Sequence, residues 1–247
     1  MKKNIKKIWK FFAKISLRLY VRDFSLYVYN NPDFTDLKTR GSHSQFGQDL
    51  FVIKTLGEIQ NGVFVDIGGN HPINGSNTYL LEQKGWNGIA IEPQEKLRKL
   101  WPGLRKAECL NYVVGPENKV INFIEGKDSE HGLSGVEGYN KCHATAQKVS
   151  VEQKRLEDIL KEKQIDRIDY LSIDVEGYEM KVLESINFTA TTIRLISIEN
   201  DIGFVNIPYI GEKIGAELGN NKLRHFLRDK GYVYIGRVVC DDFFIKN

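Results

Sequence analysis

Val63-Phe64-Val65-Asp66-Ile67-Gly68-Gly69 is a short apolar run ending in an acid and two glycines. Ile89-Ala90-Ile91-Glu92-Pro93 is a second apolar run, and it ends in a carboxylate 26 positions beyond Asp66. The pair has the pattern of a strand, a tight turn, a helix and a second strand whose tip holds a ribose. Nucleoside-containing ligands bind in such crevices, at the carboxyl ends of parallel strands. Glycines there let the backbone turn sharply and approach a ligand closely. The spacing is not G-x-G-x-x-G, because Pro72 stands where a third nearby glycine would sit and the next glycine is Gly75. An acid at the root of the turn, Asp66, suits a cationic amino or sulfonium group better than a phosphate. An ordinary strand-to-helix turn would carry the same glycines.

Working outward, the chain alternates. Strands are expected at 62–67, 88–92, 109–114, 119–124, 147–152, 169–174 and 193–199. Helices are expected at 45–57, 76–84, 94–101, 155–163, 178–186 and 221–230, and two closing runs, 232–238 and 242–246, could pair antiparallel. Strands alternating with helices imply an α/β fold with a mostly parallel sheet covered on both faces. The segment 125–146 reads as irregular.

At 247 residues, the chain fits one large domain or a domain plus a small extension, and an apolar fraction of 41% suits a soluble globular protein. A formal net charge of +3 does not argue for nucleic-acid binding, which needs a strong basic patch on a defined fold. Cys109, Cys142 and Cys240 are far apart and form no CxxC, so a reducing cytoplasm is the natural setting. No run approaches the roughly 18 apolar residues that span a bilayer.

Residues 1–43 form a separate unit, a basic amphipathic helix and a linker, ahead of a domain at 44–247. Lys2, Lys3, Lys6, Lys7, Lys10, Lys14 and Arg18 precede any acid, while Ile5, Ile8, Phe12, Ile15 and Leu19 recur at helical steps. A basic face opposite an apolar stripe suits the surface of an anionic membrane. A helix packed on its own domain would show the same pattern.

Glu92 can accept hydrogen bonds from both ribose hydroxyls and would repel a 2′-phosphate. In Ile168-Asp-Tyr-Leu-Ser-Ile-Asp174-Val-Glu176-Gly177, Asp174 ends a buried-type strand, and Glu176 either serves the site or favours the next helix's N-terminus. Ser76 or Asn77 can cap the helix after the glycine turn. His131, in Glu130-His131-Gly132-Leu133-Ser134, lies in an irregular segment able to cover a site.

Taken together, these segments resemble the FkbM family of S-adenosylmethionine-dependent methyltransferases. The resemblance runs from Ser44-Gln-Phe-Gly-Gln-Asp49 to Ile196-Ser-Ile-Glu199. It rests on Phe64-Val-Asp-Ile-Gly-Gly-Asn-His71, Ser76-Asn-Thr78, Gly85-Trp-Asn-Gly88, Ile91-Glu-Pro93, His131-Gly-Leu-Ser134 and Ile173-Asp-Val-Glu-Gly177. It implies a class I methyltransferase (Rossmann-like) fold, with a seven-stranded sheet, helices on both faces and an antiparallel element in the last strand pair. It also implies O-methylation, often of a sugar hydroxyl on a glycan or natural product.

On that resemblance Asp66, Gly68 and Gly69 face the methionine part of the cofactor, with Asn70 and Ser76 in the same set. Glu92 holds the ribose, Asn111 lies near the adenine, and Asp174 and Glu176 sit beside the methyl group and acceptor. Asp174 and His131 are the candidate general bases. A divalent ion on Asp174, Glu199 and Asp201 is a minor alternative that no spacing requires. Other readings are a catalytically inactive nucleotide-binding or scaffold protein of this fold, and an NAD-dependent oxidoreductase, which the missing G-x-G-x-x-G disfavours. The partners expected are a carbohydrate acceptor and, through residues 1–20, the cytoplasmic face of an anionic membrane.

Overall fold

The computed structural model describes residues 41–126, 134–139, 147–200, 221–238 and 240–247. In chain order the elements are α1 (Gln48–Leu56), β1 (Val63–Ile67), α2 (Tyr79–Gln83), β2 (Asn87–Ile91), α3 (Glu95–Arg98), β3 (Glu108–Leu110), β4 (Val113–Val114), β5 (Lys119–Glu125), β6 (Gly135–Val136) and β7 (Gln147–Lys154). There follow α4 (Leu156–Glu162), β8 (Arg167–Ile173), α5 (Glu179–Glu184), β9 (Thr192–Glu199), α6 (Asn221–Asp229), β10 (Tyr232–Val238) and β11 (Asp241–Lys246).

The main sheet has seven strands in the order β10-β11-β9-β8-β1-β2-β3. It is mixed. The run β3-β2-β1-β8-β9 is parallel, and β11 lies antiparallel between β9 and β10. Alternate residues of the central strands feed two cores. Val65, Ile67, Leu171 and Ile173 pack with Leu156, Ile159, Val182, Leu183 and Leu227 of α4, α5 and α6. Phe64 and Tyr170 face the other way, onto Phe51, Val52 and Leu81 of α1 and α2 together with Trp101. Burial on both faces is why these strands read as apolar runs without alternation.

The apolar run at 109–114 divides between two sheets. Asn111 donates through Nδ2 to the carbonyls of Glu92 (3.0 Å) and Pro93 (2.8 Å), past the end of β2. That side chain takes over from the β2–β3 ladder, and Val113–Val114 joins a second sheet ordered β4-β7-β5-β6. The inner face of this sheet, with Val113, Phe123, Val136 and Val151, packs on Tyr178 from the turn after β8. The small sheet is thereby set over the carboxyl ends of the large one. β6 falls within the stretch read as irregular; residues 127–133 and 140–146 of that stretch, and the basic residues 1–40, lie outside the described residues.

Candidate active site

Register builds the site. Ile67 of β1 is level with Ile91 of β2 on one side and Ile173 of β8 on the other. Ile91 is level with Leu110, and Ile173 with Ile198. The next residue of each strand therefore falls in one row along the carboxyl edge: Asn111, Glu92, Gly68, Asp174 and Glu199. A crevice of about 730 Å3, its open mouth included, lies over this row. Gly68, Asn70, Glu92 and Asp174 line it from the strand ends and Glu176 from the turn after β8. Tyr112, Val113, Val114, Phe123 and Val136 supply an apolar wall.

The glycine turn is held by close packing. Gly68 has φ +85°, and a Cβ there would stand 1.7 Å from the Asp174 carbonyl oxygen. The Gly68 and Gly69 N–H groups both donate to the Ile91 carbonyl, at 2.9 and 3.2 Å. A Cβ on Gly69 would press on Trp101 and Ala90, so this glycine serves packing behind the crevice. Asn70 follows in the left-handed region at φ +46°, which Asn tolerates better than most residues.

Asp66 points away from the crevice into a buried polar network. Its Oδ2 accepts from Thr78 Oγ1 at 2.7 Å. Burial raises its carboxyl above the ordinary range, against the pull of Thr78, Arg105 and Ser172. Arg105, wholly buried, donates to the Pro72 carbonyl (2.8 Å), Ser76 Oγ (3.3 Å) and Thr78 Oγ1 (3.2 Å). Its Nε lies 3.1 Å from Glu82, and its guanidinium sits over the Trp101 ring at 4.6 Å. Ser76 Oγ also accepts from the Thr78 and Tyr79 N–H groups, so it helps start α2. These bonds clamp the turn from Pro72 to Thr78.

Glu92 is 3% exposed, yet lines the crevice. Its two oxygens accept from the Asn70 N–H (2.9 Å) and the Gln94 N–H (2.8 Å). The Gln94 side chain bonds it as well, and the carboxylate's remaining acceptor capacity is open to a ligand hydroxyl. Burial pushes its carboxyl up to about 7, although both backbone bonds pull it down.

Asp174 lies beyond β8, its N–H donating to the Ile67 carbonyl at 3.0 Å. Burial, then the neighbouring charges of Glu199, Asp241, Glu176 and Glu179, holds its carboxyl well above the usual range. Glu176 and Gly177 follow at φ +55° and +102°. Two successive left-handed residues turn the chain sharply, and Glu179 Oε1 accepts from the Gly177 N–H at 2.9 Å to hold the bend. A left-handed non-glycine residue costs about 1–2 kcal/mol, and at Glu176 it sets this acid in the crevice wall.

Of the residues singled out from sequence, Gly68, Asn70, Glu92, Asp174 and Glu176 line one crevice. Asp66, Gly69, Ser76 and Asn111 stand behind its wall, fixing the residues that line it. His131 and Asp201 lie outside the described residues. Among the described residues, no three His, Cys, Asp or Glu side chains converge as a metal site. Arg105 had no sequence signal, because the backbone it clamps is 33 positions away.

The methyltransferase FkbM domain model matches residues 66–234. The chain belongs to the FkbM methyltransferase family. Membership makes it a methyltransferase and implies S-adenosylmethionine as the donor. A solved structure titled as a TehB-like SAM-dependent methyltransferase from Corynebacterium glutamicum ATCC 13032 Kitasato is similar over 90% of this chain and 100% of its own. Identity is 11% and the TM-score 0.40, a likeness too distant to carry weight. Curated proteins yield no match.

The crevice suits that donor chemically. The buried Glu92 carboxylate can meet a ribose diol, the apolar wall from Tyr112 to Val114 can cover an adenine, and the acids Asp174 and Glu176 can face a cationic sulfonium and ammonium. The strand ends are already level, so Glu92, Gly68 and Asp174 face one crevice without any slip of register.

Proposed function

We propose that this FkbM methyltransferase has the class I (Rossmann-like) layout and methylates a sugar hydroxyl of a glycan or glycosylated metabolite. The observation that carries the reading is the level row Glu92, Gly68 and Asp174 on a single crevice. When bound, S-adenosylmethionine supplies an electrophilic methyl group on a positively charged sulfur. Glu92 accepts the ribose hydroxyls. The apolar wall excludes water from the nucleoside. The acceptor oxygen must be held in line with the methyl, within about 3–3.5 Å.

A sugar hydroxyl is a weak nucleophile until it loses its proton. Asp174 is the base in this reading. Its raised carboxyl makes it a stronger proton acceptor than an exposed aspartate once ionised. His131 is the alternative base, and its variant separates the two.

The test is calorimetric titration with S-adenosylmethionine and S-adenosylhomocysteine, with NADH as control. Both adenosyl ligands bind, and Glu92→Ala abolishes binding. With a glycan acceptor, Asp174→Asn keeps cofactor affinity and lowers turnover by about 10²–10⁴-fold. Unchanged turnover in Asp174→Asn, with loss in His131→Gln, would move the base to His131. Cofactor binding without product from any glycan would favour a scaffold of the same fold.

We also propose that residues 1–20, with seven Lys and Arg and no acid, hold the protein on the anionic cytoplasmic face of a membrane. No helix among the described residues is long and apolar enough to cross one. Deleting residues 1–20 should release the protein from anionic vesicles; equal binding of both forms would discard the idea.

A further inference from the structure

Gln45 lines the crevice but lies ahead of the segment that matches the family, residues 66–234. It stands on a short strap folded back over the glycine turn. Asp49, fully buried, accepts from Ser42 Oγ (2.6 Å), Ser44 Oγ (2.9 Å), the His43 N–H (3.1 Å) and the Leu50 N–H (2.8 Å). Ser44 Oγ accepts from the Gly47 N–H at 2.9 Å, and Ser44 pairs with Gly75 in a parallel bridge. The strap is thus tied at both ends. Gln45 is exposed, and its Cγ and Nε2 lie 3.5 and 3.9 Å from where a Cβ of Gly75 would be.

The row of strand ends orients a three-part ligand. Adjacent strands are about 4.8 Å apart. With the ribose on Glu92 at β2, the base falls on the β3 side, where Tyr112, Val113 and Val114 form the apolar wall. The amino-acid end then lies over Gly68 at β1, the side on which Gln45 and Asn70 close the crevice. This end carries a carboxylate as well as its cations. No Lys, Arg or His is among the described residues lining the crevice, whose charged groups are Glu92, Asp174 and Glu176. A carboxylate there needs neutral donors. The Asn70 backbone N–H is already taken by Glu92. The side-chain amides of Asn70 and Gln45 each offer two N–H donors on this side, and that of Gln45 stands on a backbone fixed by the Asp49 and Ser44 bonds.

We infer that Gln45 binds the donor's amino-acid carboxylate through its amide, so that the strap at 42–49 completes the cofactor site. The inference rests on the adenosyl ligand occupying this crevice as proposed above. The test compares S-adenosylhomocysteine with 5′-methylthioadenosine, a thioether that lacks the amino-acid end, by calorimetry on the full chain at pH 8. Gln45→Ala should weaken S-adenosylhomocysteine by about tenfold or more, the worth of a hydrogen bond to a charged group. Gln45→Glu should weaken it further by repulsion. The affinity for 5′-methylthioadenosine should be unchanged in both variants, which also reports that the crevice is intact.

Equal loss of both ligands would make the strap a general lid and overturn the assignment. So would unchanged S-adenosylhomocysteine binding in Gln45→Ala. Tighter binding in Gln45→Glu would place the ammonium, not the carboxylate, against this residue. If the wild type binds neither ligand, the occupancy of the crevice fails and Gln45 with it.

Discussion

Glu92 and Asp174 are carboxylates that burial has moved toward neutrality, and each makes a pH prediction. Glu92, at about 7, is part protonated in the free protein near neutral pH. Ribose hydroxyls donating to it favour the ionised form, so binding expels the remaining proton. S-Adenosylhomocysteine affinity should rise about tenfold from pH 6 to pH 8. Glu92→Gln should bind weakly without that slope, and titration in buffers of different ionisation enthalpy reads the released proton. Asp174 can act as a base only after losing its own proton, and its carboxyl is held high. Turnover should therefore climb with pH; a profile flat from pH 6 to pH 9 would remove Asp174 from the role. Both positions were legible in the sequence, because an apolar strand that runs straight into an acid, then Pro or a Val-Glu-Gly turn, carries that acid to the sheet's edge. The direction each side chain faces was not legible, since Asp66 has the same kind of context and turns inward to Thr78.

The element that shapes the site is the turn from Gly68 to Thr78, and Arg105 clamps it. Arg105→Met removes one partner of a buried pair, leaving Glu82 without its counter-charge and Thr78 short of a donor. A loss of about 3–5 kcal/mol is expected from urea unfolding. Arg105→Lys should recover little, because an ammonium lacks the planar fork that reaches Pro72 and Thr78 together. Stability within 1 kcal/mol of wild type for Arg105→Met, as a rough threshold, would show that the clamp is dispensable. The split of 109–114 belongs to this scale too. An apolar run states that a strand is buried, but not which sheet it joins; Asn111 decides that by bonding two carbonyls past the end of β2.

At the scale of the whole molecule, four raised carboxyls among the described residues lie along one sheet edge: Asp66, Glu92, Asp174 and Asp241, the last at about 6 and bonded by Gln48 at 2.6 Å. Each folded value exceeds the unfolded one. The stability they contribute is present in full below the ordinary carboxylate range, and is lost as pH rises through 6 and 7. Glu92 alone accounts for about 3 kcal/mol across that window. The exposed acids Glu95, Glu117 and Glu137, lowered by Arg98, Lys119 and Lys148, act in the opposite sense, but solvent screens them. The urea midpoint should therefore be higher at pH 5.5 than at pH 8, and equal midpoints would mean these carboxyls are solvated. Saturating S-adenosylhomocysteine should narrow the difference by holding Glu92 ionised. At this scale the sequence by itself determined the alternation of strands and helices, and which residues end the central strands, because burial on both faces and glycine or acid at a strand tip are local patterns. Tertiary structure alone decided that those tips are level, that a second sheet roofs them, and that Gln45 and Arg105 reach the same turn. These depend on hydrogen bonds and packing between residues far apart in the chain, which no local pattern encodes.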